Sequence, residues 1–160
     1  MAQAVESREG LVSVVLPCYN EEKALAKVVK QIRAALDPHD IEYELLIVEI
    51  AEKLDGVRVV RHRQNQGSGA SRRTGILNAR GAIIVMLDAD GTYEPRTIPK
   101  MLEMMDEYDQ VNGWRNREAG THRCARTPAK FLIRQLAIYI SGQKIPDLNT
   151  GLKAFRRDVM

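Results

Sequence analysis

Short apolar runs alternate with longer segments of helical periodicity along most of the chain. Four runs rich in β-branched residues predict buried strands, at 11–16, 43–48, 57–62 and 82–87. Apolar residues three and four positions apart predict four helices, at 21–36, 68–80, 96–108 and 128–141. A shorter run at 111–114 suggests one more strand, and the closing stretch "LNTGLKAFRRDVM" carries no predicted element. The alternation indicates an α/β fold with a mostly parallel central sheet flanked by helices.

Two of the predicted helices carry clear apolar stripes. In the helix at 21–36, five apolar residues fall on one face: Leu25, Val28, Val29, Ile32 and Leu36. The helix at 96–108 has a stripe formed by Ile98, Met101, Leu102 and Met105. We therefore expect both stripes to be buried against the sheet.

Two loops stand out because each follows a predicted strand directly. The first is "PCYNEE" at 17–22, and the second is "DADGTYEP" at 88–95. In open parallel sheets, ligands bind beyond the carboxyl ends of the strands, near the point where the strand order reverses. These two loops are therefore the places to look for a functional site.

Composition adds the size and class of the molecule. The chain has 160 residues, 44% of them hydrophobic and 28% charged, which fits one soluble domain with a sizeable core. We expect a flexible tail at 1–10 and a folded core at 11–160. The net charge of +3 suits an anionic ligand such as a nucleotide, and does not by itself indicate nucleic acid binding.

The sequence does not carry the marks of export or membrane insertion. Its opening residues, "MAQAVESREG", have no apolar core of the kind found in signal peptides. No apolar run approaches the roughly 20 residues that span a bilayer. Cys18 and Cys124 match no metal or disulfide spacing. We expect a reduced, cytoplasmic protein.

Two acids stand one residue apart where the fourth strand ends, in "IVMLDADGTYEP" at 84–95. The carboxylates of Asp88 and Asp90, on either side of Ala89, repel each other, so a positive partner is expected. Mg²⁺ or Mn²⁺ prefers such hard oxygen ligands and would keep positions open for the phosphates of a substrate. Alternatively, the two acids only solvate a turn at Asp90-Gly91. The residues alone leave both interpretations open.

The loop "PCYNEE" offers a second candidate site. Tyr19 can stack near a nucleotide base, and Glu21 can orient a ribose or position the loop. The same residues also suit an ordinary strand-to-helix connection with capping residues. From the loop alone, this simpler interpretation is favoured.

The stretch "NQGSGA" at 65–70 contains glycines but is neither a P-loop nor a full dinucleotide fingerprint, whose third glycine position is Arg72. Asn65 and Gly67 are expected to shape a turn and let the next helix approach the sheet. Arg72 and Arg73 can face phosphate, but an exposed helical face is the favoured role for both.

Basic residues gather in "GWRNREAGTHRCAR" at 113–126. Arginines in a loop are apt to bind phosphate by paired hydrogen bonds, and a solvated basic loop is an equally open interpretation. The four arginines are Arg115, Arg117, Arg123 and Arg126. Asp147, in "DLNTGLKAF", is the last candidate, and it can equally cap a turn.

Taken in order, five segments resemble the inverting glycosyltransferases of family 2. They are "VSVVLPCYNEEKAL", "YELLIV", "RVVRHRQNQGSGASRRTGILNARG", "IIVMLDADGTYEP" and "DLNTGLKAFRRDV". The resemblance spans 11–158, and within the family the chain is most similar to the dolichol- or polyprenyl-phosphate sugar synthases. It implies a GT-A fold, here a single Rossmann-like domain. It also implies a nucleotide-diphosphate-sugar donor, of the GDP-mannose or UDP-glucose type, and Mg²⁺ or Mn²⁺ as cofactor.

The resemblance assigns roles to individual residues. It places six in the nucleotide-sugar site: Pro17, Tyr19, Glu21, Asp88, Ala89 and Asp90. Of these, Asp88 and Asp90 match the acidic pair that holds the metal and the diphosphate. Arg117 and Arg126 are similar in placement to arginines that hold phosphate groups near the reacting centre. Asp147 falls in a "D-x-N-x-G" element beside the acceptor site. The implied catalytic residues are Asp88, Asp90, Arg117, Arg126 and Asp147.

Three features depart from the family pattern. Relatives usually follow the second strand with "DDGS" or a close variant, whose acids contact the base and ribose, whereas here Val48 runs directly into Glu49. A strand joined to a helix without a loop is physically awkward, so the favoured interpretation is that a loop is omitted there. Thr92 stands where some relatives have an amide residue. The sequence also ends with "FRRDVM", where relatives continue, so we expect a catalytic core cut short at its C-terminus.

The expected function is therefore the inverting transfer of a sugar to an acceptor, with a polyprenyl phosphate of cell-envelope biosynthesis as the favoured acceptor. The alternative is a non-catalytic nucleotide-sugar-binding module that lacks the first acidic motif. The helix at 128–141 can lie at the inner face of the cell membrane near such a lipid, although its wide apolar face favours packing in a core.

Overall fold

The structure is a computed structural model, and it describes residues 8–18, 22–48, 55–62, 64, 66–113, 127–142 and 150–159. The chain divides into two compact units. The first comprises Met1–Gly113 together with Gly151–Met160, and it contains the sheet. The second, Trp114–Thr150, contains one described helix.

A six-stranded sheet organises the described part of the first unit, with strand order β3-β2-β1-β4-β6-β5. Its strands are β1 (Arg8–Pro17), β2 (Tyr43–Val48), β3 (Val57–Val60), β4 (Gly81–Met86), β5 (Gln110–Asn112) and β6 (Lys153–Arg156). The first four strands are mutually parallel, whereas β6 runs antiparallel to both of its neighbours, β4 and β5. The expected α/β class with a mostly parallel sheet is confirmed.

Four α-helices occur in the described residues: α1 (Glu22–Leu36), α2 (Gly67–Asn78), α3 (Ile98–Met104) and α4 (Thr127–Ser141). The third is shorter than the predicted 96–108. Pro95–Thr97 forms a separate 3₁₀ turn before it. After it, the amides of Glu107 and Tyr108 both donate to the carbonyl of Met104, so the chain closes a turn there instead of extending the helix.

Helices cover both faces of the sheet. The apolar sides of α1 and α3 pack into one core cluster with Val14, Leu16 and Ile47 of the sheet. The five stripe residues predicted for α1 are all buried, as are Ile98, Met101 and Met105 near α3. The opposite face holds a smaller cluster that includes Val15, Leu46 and Phe155, with α2 lying over it.

Two strands differ from their prediction. The first strand begins at Arg8, inside the expected flexible tail at 1–10, and its first three residues are exposed. The strand β6 was not predicted at all. Its four residues, Lys153–Arg156, are too few to show a clear period, and they become a strand because β4 and β5 both supply hydrogen-bonding partners.

The helix α2 approaches the sheet closely at Gly75. A Cβ atom built there would lie 2.3 Å from Cγ1 of Val15 and 3.2 Å from Cγ2 of Val48. The sequence predicted that Asn65 and Gly67 shape a turn and let this helix approach the sheet, and the close contact itself is at Gly75 and not at Gly67. Gly67 instead opens the helix with a φ of +83°, and no atom would lie within 4 Å of a Cβ built on it. Asn65, the other residue assigned to that turn, lies outside the described residues.

Buried polar groups fix the connection between α2 and β4. The hydroxyl of Ser13 accepts the amide of Gly81 at 2.7 Å and donates to Oε1 of Glu44 at 2.6 Å. Arg58 forms an ion pair with the same carboxylate, with 3.1 Å between Nη2 and Oε2, and it also donates to the carbonyl of Asn78. Because α2 and β4 are held at this connection, their side chains meet in a defined register at the other end of the sheet.

The second unit contributes α4, whose apolar face is exposed. The five exposed side chains are Leu132, Ile133, Leu136, Tyr139 and Ile140, with exposed fractions from 55% to 87%. They fall within an arc of about 120° around the helix axis, so they form one continuous face. The sequence favoured core packing for this helix, and for these side chains that interpretation is wrong. A wide apolar face is common to core helices and to helices that bind an external apolar surface, so the pattern alone does not separate them.

Replacing Gly75 by alanine should destabilise the protein by about 1–3 kcal/mol, because the new methyl group would overlap Val15. Gly69→Ala is the matched control, since it lies in the same helix and a Cβ there meets nothing within 4 Å. That change should instead raise the free energy of unfolding by about 0.5–1 kcal/mol through helix propensity. Urea unfolding measures both. Equal effects of the two substitutions would contradict the close packing of α2 on the sheet.

Candidate functional site

The strand order reverses between β1 and β4. From β1 the chain passes through α1 to β2 and β3 on one side, then returns through α2 to β4 on the other side of β1. The two strands are parallel neighbours, with Val15 paired to Met86, and the amide of Leu87 donates to the carbonyl of Val15 at 3.0 Å. Their carboxyl ends therefore open side by side at the position where α/β sheets bind ligands. The loops "PCYNEE" and "DADGTYEP" both begin there.

Asp88 lies at this edge and forms an ion pair with an arginine of α2. Nη2 of Arg72 donates to Oδ1 of Asp88 at 2.9 Å, and the two side chains are 42% and 31% exposed. Arg72 was expected on an exposed helical face, and its partly exposed side chain pairs with Asp88. Its neighbour Arg73 is exposed. A positive partner was expected for Asp88, and within the protein an arginine supplies it.

Gly151 packs directly against the same carboxylate. A Cβ built on Gly151 would lie 1.8 Å from Oδ2 of Asp88 and 3.0 Å from Cε2 of Tyr93. The amide of Gly151 also donates to the hydroxyl of Tyr93, which is itself buried. Gly151 and Tyr93 therefore hold the start of the segment before β6 against the loop that follows β4, beside Asp88. Sequence reasoning singled out neither residue.

Asp90 is exposed and forms a turn with Thr92. Its Oδ1 accepts the backbone amide of Thr92 at 2.9 Å and the hydroxyl of Thr92 at 2.6 Å. Gly91, with a φ of +74°, permits this tight turn. The second carboxylate oxygen, Oδ2, takes no part in the turn. The turn interpretation therefore describes the local structure, and it remains compatible with Asp90 binding a ligand through Oδ2.

Of the other predicted site residues, two lie within the described part of the structure and five lie outside it. Pro17 ends β1, half-buried and paired in register with Val48. Ala89 has its side chain buried in the core, so only its backbone can face a ligand. Five predicted site residues lie outside the described residues: Tyr19, Glu21, Arg117, Arg126 and Asp147.

The chemistry of the two acids fits a small divalent cation. Both offer hard carboxylate oxygens at an accessible edge, one half-buried and one exposed. Within the described ranges, no group of three or more acidic, histidine or cysteine side chains could hold a metal by itself. Mg²⁺ is commonly bound by one or two carboxylates together with water and substrate phosphates. The two carboxylates therefore suit a cation that also binds a phosphate ligand.

Solved structures show that the fold is that of GT-A glycosyltransferases. Glucosyl-3-phosphoglycerate synthase from Mycobacterium tuberculosis, solved in complex with Mn²⁺ and UDP-glucose, aligns with a TM-score of 0.67 at 21% identity. That alignment covers 99% of this chain and 58% of the synthase. The mannosyltransferase PcManGT from Pyrobaculum calidifontis, solved in complex with GDP-Man and Mn²⁺, aligns with a TM-score of 0.60 at 20% identity, covering 92% and 45%.

A sequence model described as "Glycosyl transferase family 2" matches residues 13–160, and the chain belongs to that family. Dodecaprenyl-phosphate galacturonate synthase from Rhizobium johnstonii is 30% identical over 92% of this chain and 48% of its own length. Dolichyl-phosphate hexose transferase from Haloferax volcanii is 30% identical over 92% of this chain and 67% of its own length. The chain thus spans about half the length of several curated relatives it matches. The resemblance to polyprenyl-phosphate sugar transferases is confirmed.

Within the described residues, none of the helices combines the length and the apolar character needed to cross a bilayer.

Gly151→Ala should lower the free energy of unfolding by about 1–3 kcal/mol, because the added methyl group would overlap the carboxylate of Asp88. A double-mutant cycle with Asp88→Ala, measured by urea unfolding, isolates this contact. The cost of Gly151→Ala should be smaller in the Asp88→Ala background, since the overlapping oxygen has been removed. An identical cost in both backgrounds would show that the glycine does not pack on Asp88.

Proposed function

We propose that this chain carries the donor site of an inverting glycosyltransferase. It would transfer a sugar from a nucleotide-diphosphate sugar, of the GDP-mannose or UDP-glucose type, to a polyprenyl phosphate. The observation that carries the proposal is the position of Asp88 and Asp90 at the switch point of the sheet, beside the end of β1. Family membership, and relatives named for transfer to lipid phosphates, support the same reading.

The two acids would act together at the donor diphosphate. Asp88 and Asp90 would hold Mg²⁺ or Mn²⁺, which when bound neutralises charge on a diphosphate leaving group. Two structures with this fold were solved with Mn²⁺ and a nucleotide sugar, which supports a divalent cofactor here. The two hydrogen bonds from Thr92 would hold the carboxylate of Asp90 in one orientation. Its Oδ2 would then bind the cation with little reorganisation of the side chain.

The remaining roles follow from the loops at the same edge and from the basic segment. Pro17, Tyr19 and Glu21 would line the nucleotide, with the backbone of Ala89 beside them. Arg117 and Arg126 would hold the acceptor phosphate, and Asp147 would lie beside it. A lipid phosphate is already anionic at neutral pH, so its attack on the anomeric carbon needs little help from a general base. Positioning would then supply most of the catalysis, with inversion at the sugar carbon.

The apolar face of α4 supports a lipid-linked acceptor. Its five exposed side chains would lie in the interface of the inner leaflet, where a polyprenyl phosphate presents its headgroup. Leaving such a face in water is costly, since each large apolar side chain gains about 1.5–3 kcal/mol when it is fully buried. We therefore propose peripheral contact with the cytoplasmic face of the membrane.

Neutralising either acid should abolish Mn²⁺-dependent function. In Asp88→Asn and Asp90→Asn, metal-dependent binding of the donor should be lost, and transfer should fall about a hundredfold or more. Isothermal titration with GDP-mannose and UDP-glucose, with and without Mn²⁺, measures binding, and release of the nucleoside diphosphate measures turnover. Glu103→Gln, an exposed acid on α3, is the control for net charge.

Unchanged donor binding in both aspartate variants would refute their assigned role. Metal-dependent binding of a donor by the wild-type protein, without transfer to any polyprenyl phosphate, would favour the alternative of a non-catalytic binding module.

Charged substitutions on α4 test the membrane contact. In Leu136→Glu combined with Ile140→Glu, the vesicle-bound fraction of the protein should fall about tenfold or more, because two apolar side chains are lost from the face. Co-sedimentation with phosphatidylcholine–phosphatidylglycerol vesicles measures this. Gln135→Glu adds charge to an exposed position outside the apolar face and should have a much smaller effect. Equal losses in both proteins would point to general electrostatic repulsion and contradict a specific apolar contact.

A further inference from the structure

The two acids of the candidate metal site are held by different kinds of partner. In the part of the chain that the structure describes, Oδ1 of Asp90 accepts hydrogen bonds only from neutral groups of Thr92, the backbone amide and the hydroxyl. Oδ1 of Asp88 accepts from the guanidinium of Arg72. Among the described residues, Asp90 therefore has no ion-pair partner, whereas Asp88 has a cationic one.

The two oxygens of Asp88 have different neighbours. Oδ2 of Asp88 lies against Gly151, so close that even a methyl group on the glycine would overlap it. The other oxygen, Oδ1, is the atom that Arg72 binds at 2.9 Å. A divalent cation approaching Oδ1 would meet a guanidinium of like charge, and two cations on one oxygen repel each other strongly at this range.

We propose that Arg72 is a built-in competitor for the divalent cation, a positioning residue that holds Asp88 in the cation-free protein and must release it when the metal binds. The inference rests on the proposed function, because it assumes that Asp88 and Asp90 hold a metal. A purely structural ion pair would stabilise the fold, whereas Arg72 in this proposal weakens the binding of the cation to Asp88. An ion pair of two partly exposed side chains adds little to stability, so the fold does not depend on it.

The proposal is tested by measuring Mn²⁺ affinity of the protein alone, from the electron paramagnetic resonance signal of free Mn²⁺. Arg72→Gln should bind Mn²⁺ more tightly than the wild type, on the order of tenfold, because the competing charge is removed. Arg72→Lys keeps the charge and should remain close to the wild type. Arg73→Gln removes the same charge from the adjacent, exposed residue and should change the affinity much less. Thermal unfolding of each variant confirms that it is folded.

The outcomes separate this inference from the proposed function. If the wild type binds Mn²⁺ in a manner that Asp90→Asn abolishes, but Arg72→Gln binds it equally or more weakly, then the role of Arg72 is refuted and the metal site stands. If Arg72→Gln and Arg73→Gln raise the affinity equally, general electrostatics explains the change and the inference also fails. If no variant binds Mn²⁺ at millimolar concentration, the inference is overturned, because no cation then competes with Arg72 in the protein alone, whereas the proposed function is still decided by Mn²⁺-dependent binding of the donor.

Discussion

The contacts of the Asp88 carboxylate organise the candidate site, although its ion pair with Arg72 adds little to the stability of the fold. A carboxylate that is only 31% exposed, two residues from a second acid, is unfavourable without a positive or hydrogen-bonding partner. Arg72 of α2 supplies the positive partner. Gly151 leaves room for the carboxylate because it has no side chain. Three distant parts of the chain therefore converge on one functional group: a strand end, a helix and the segment before the last strand.

That convergence depends on the sheet. The reversal of strand order between β1 and β4 opens the crevice, and the parallel pairing of those strands brings two loops to the same edge. On the opposite face, α2 can deliver Arg72 to this edge because Gly75 lets the helix lie close to Val15. At the far end of the sheet, Ser13 and Glu44 fix the connection from α2 to β4. Contacts outside the candidate site, at Gly75 and at Ser13, thus set the position of the ion pair.

The same logic connects the acids to the proposed chemistry. A protein that holds two carboxylates at an accessible edge, with no further acid, histidine or cysteine close enough among the described residues to complete a cage, leaves coordination positions for a ligand. Diphosphate oxygens are the proposed occupants of those positions. Membership of glycosyltransferase family 2 supports the proposal that the phosphate ligand is a nucleotide sugar. The exposed apolar face of α4 supports the proposal that the acceptor is a lipid.

The sequence by itself determined the elements whose stabilising pattern is local. The sequence predicted the apolar stripe of α1, the bounds of β2 and the position of the two acids after β4. Each of these follows from the spacing of apolar residues within one short segment. The tertiary structure alone decided the strand β6, the partner of Asp88, the glycine that faces it, and the exposure of α4. Each of these depends on residues far apart in the chain, or on what lies beside an apolar face. Arg72 and Asp88 are 16 positions apart, and Gly151 lies much farther along the chain, so no local period brings them together.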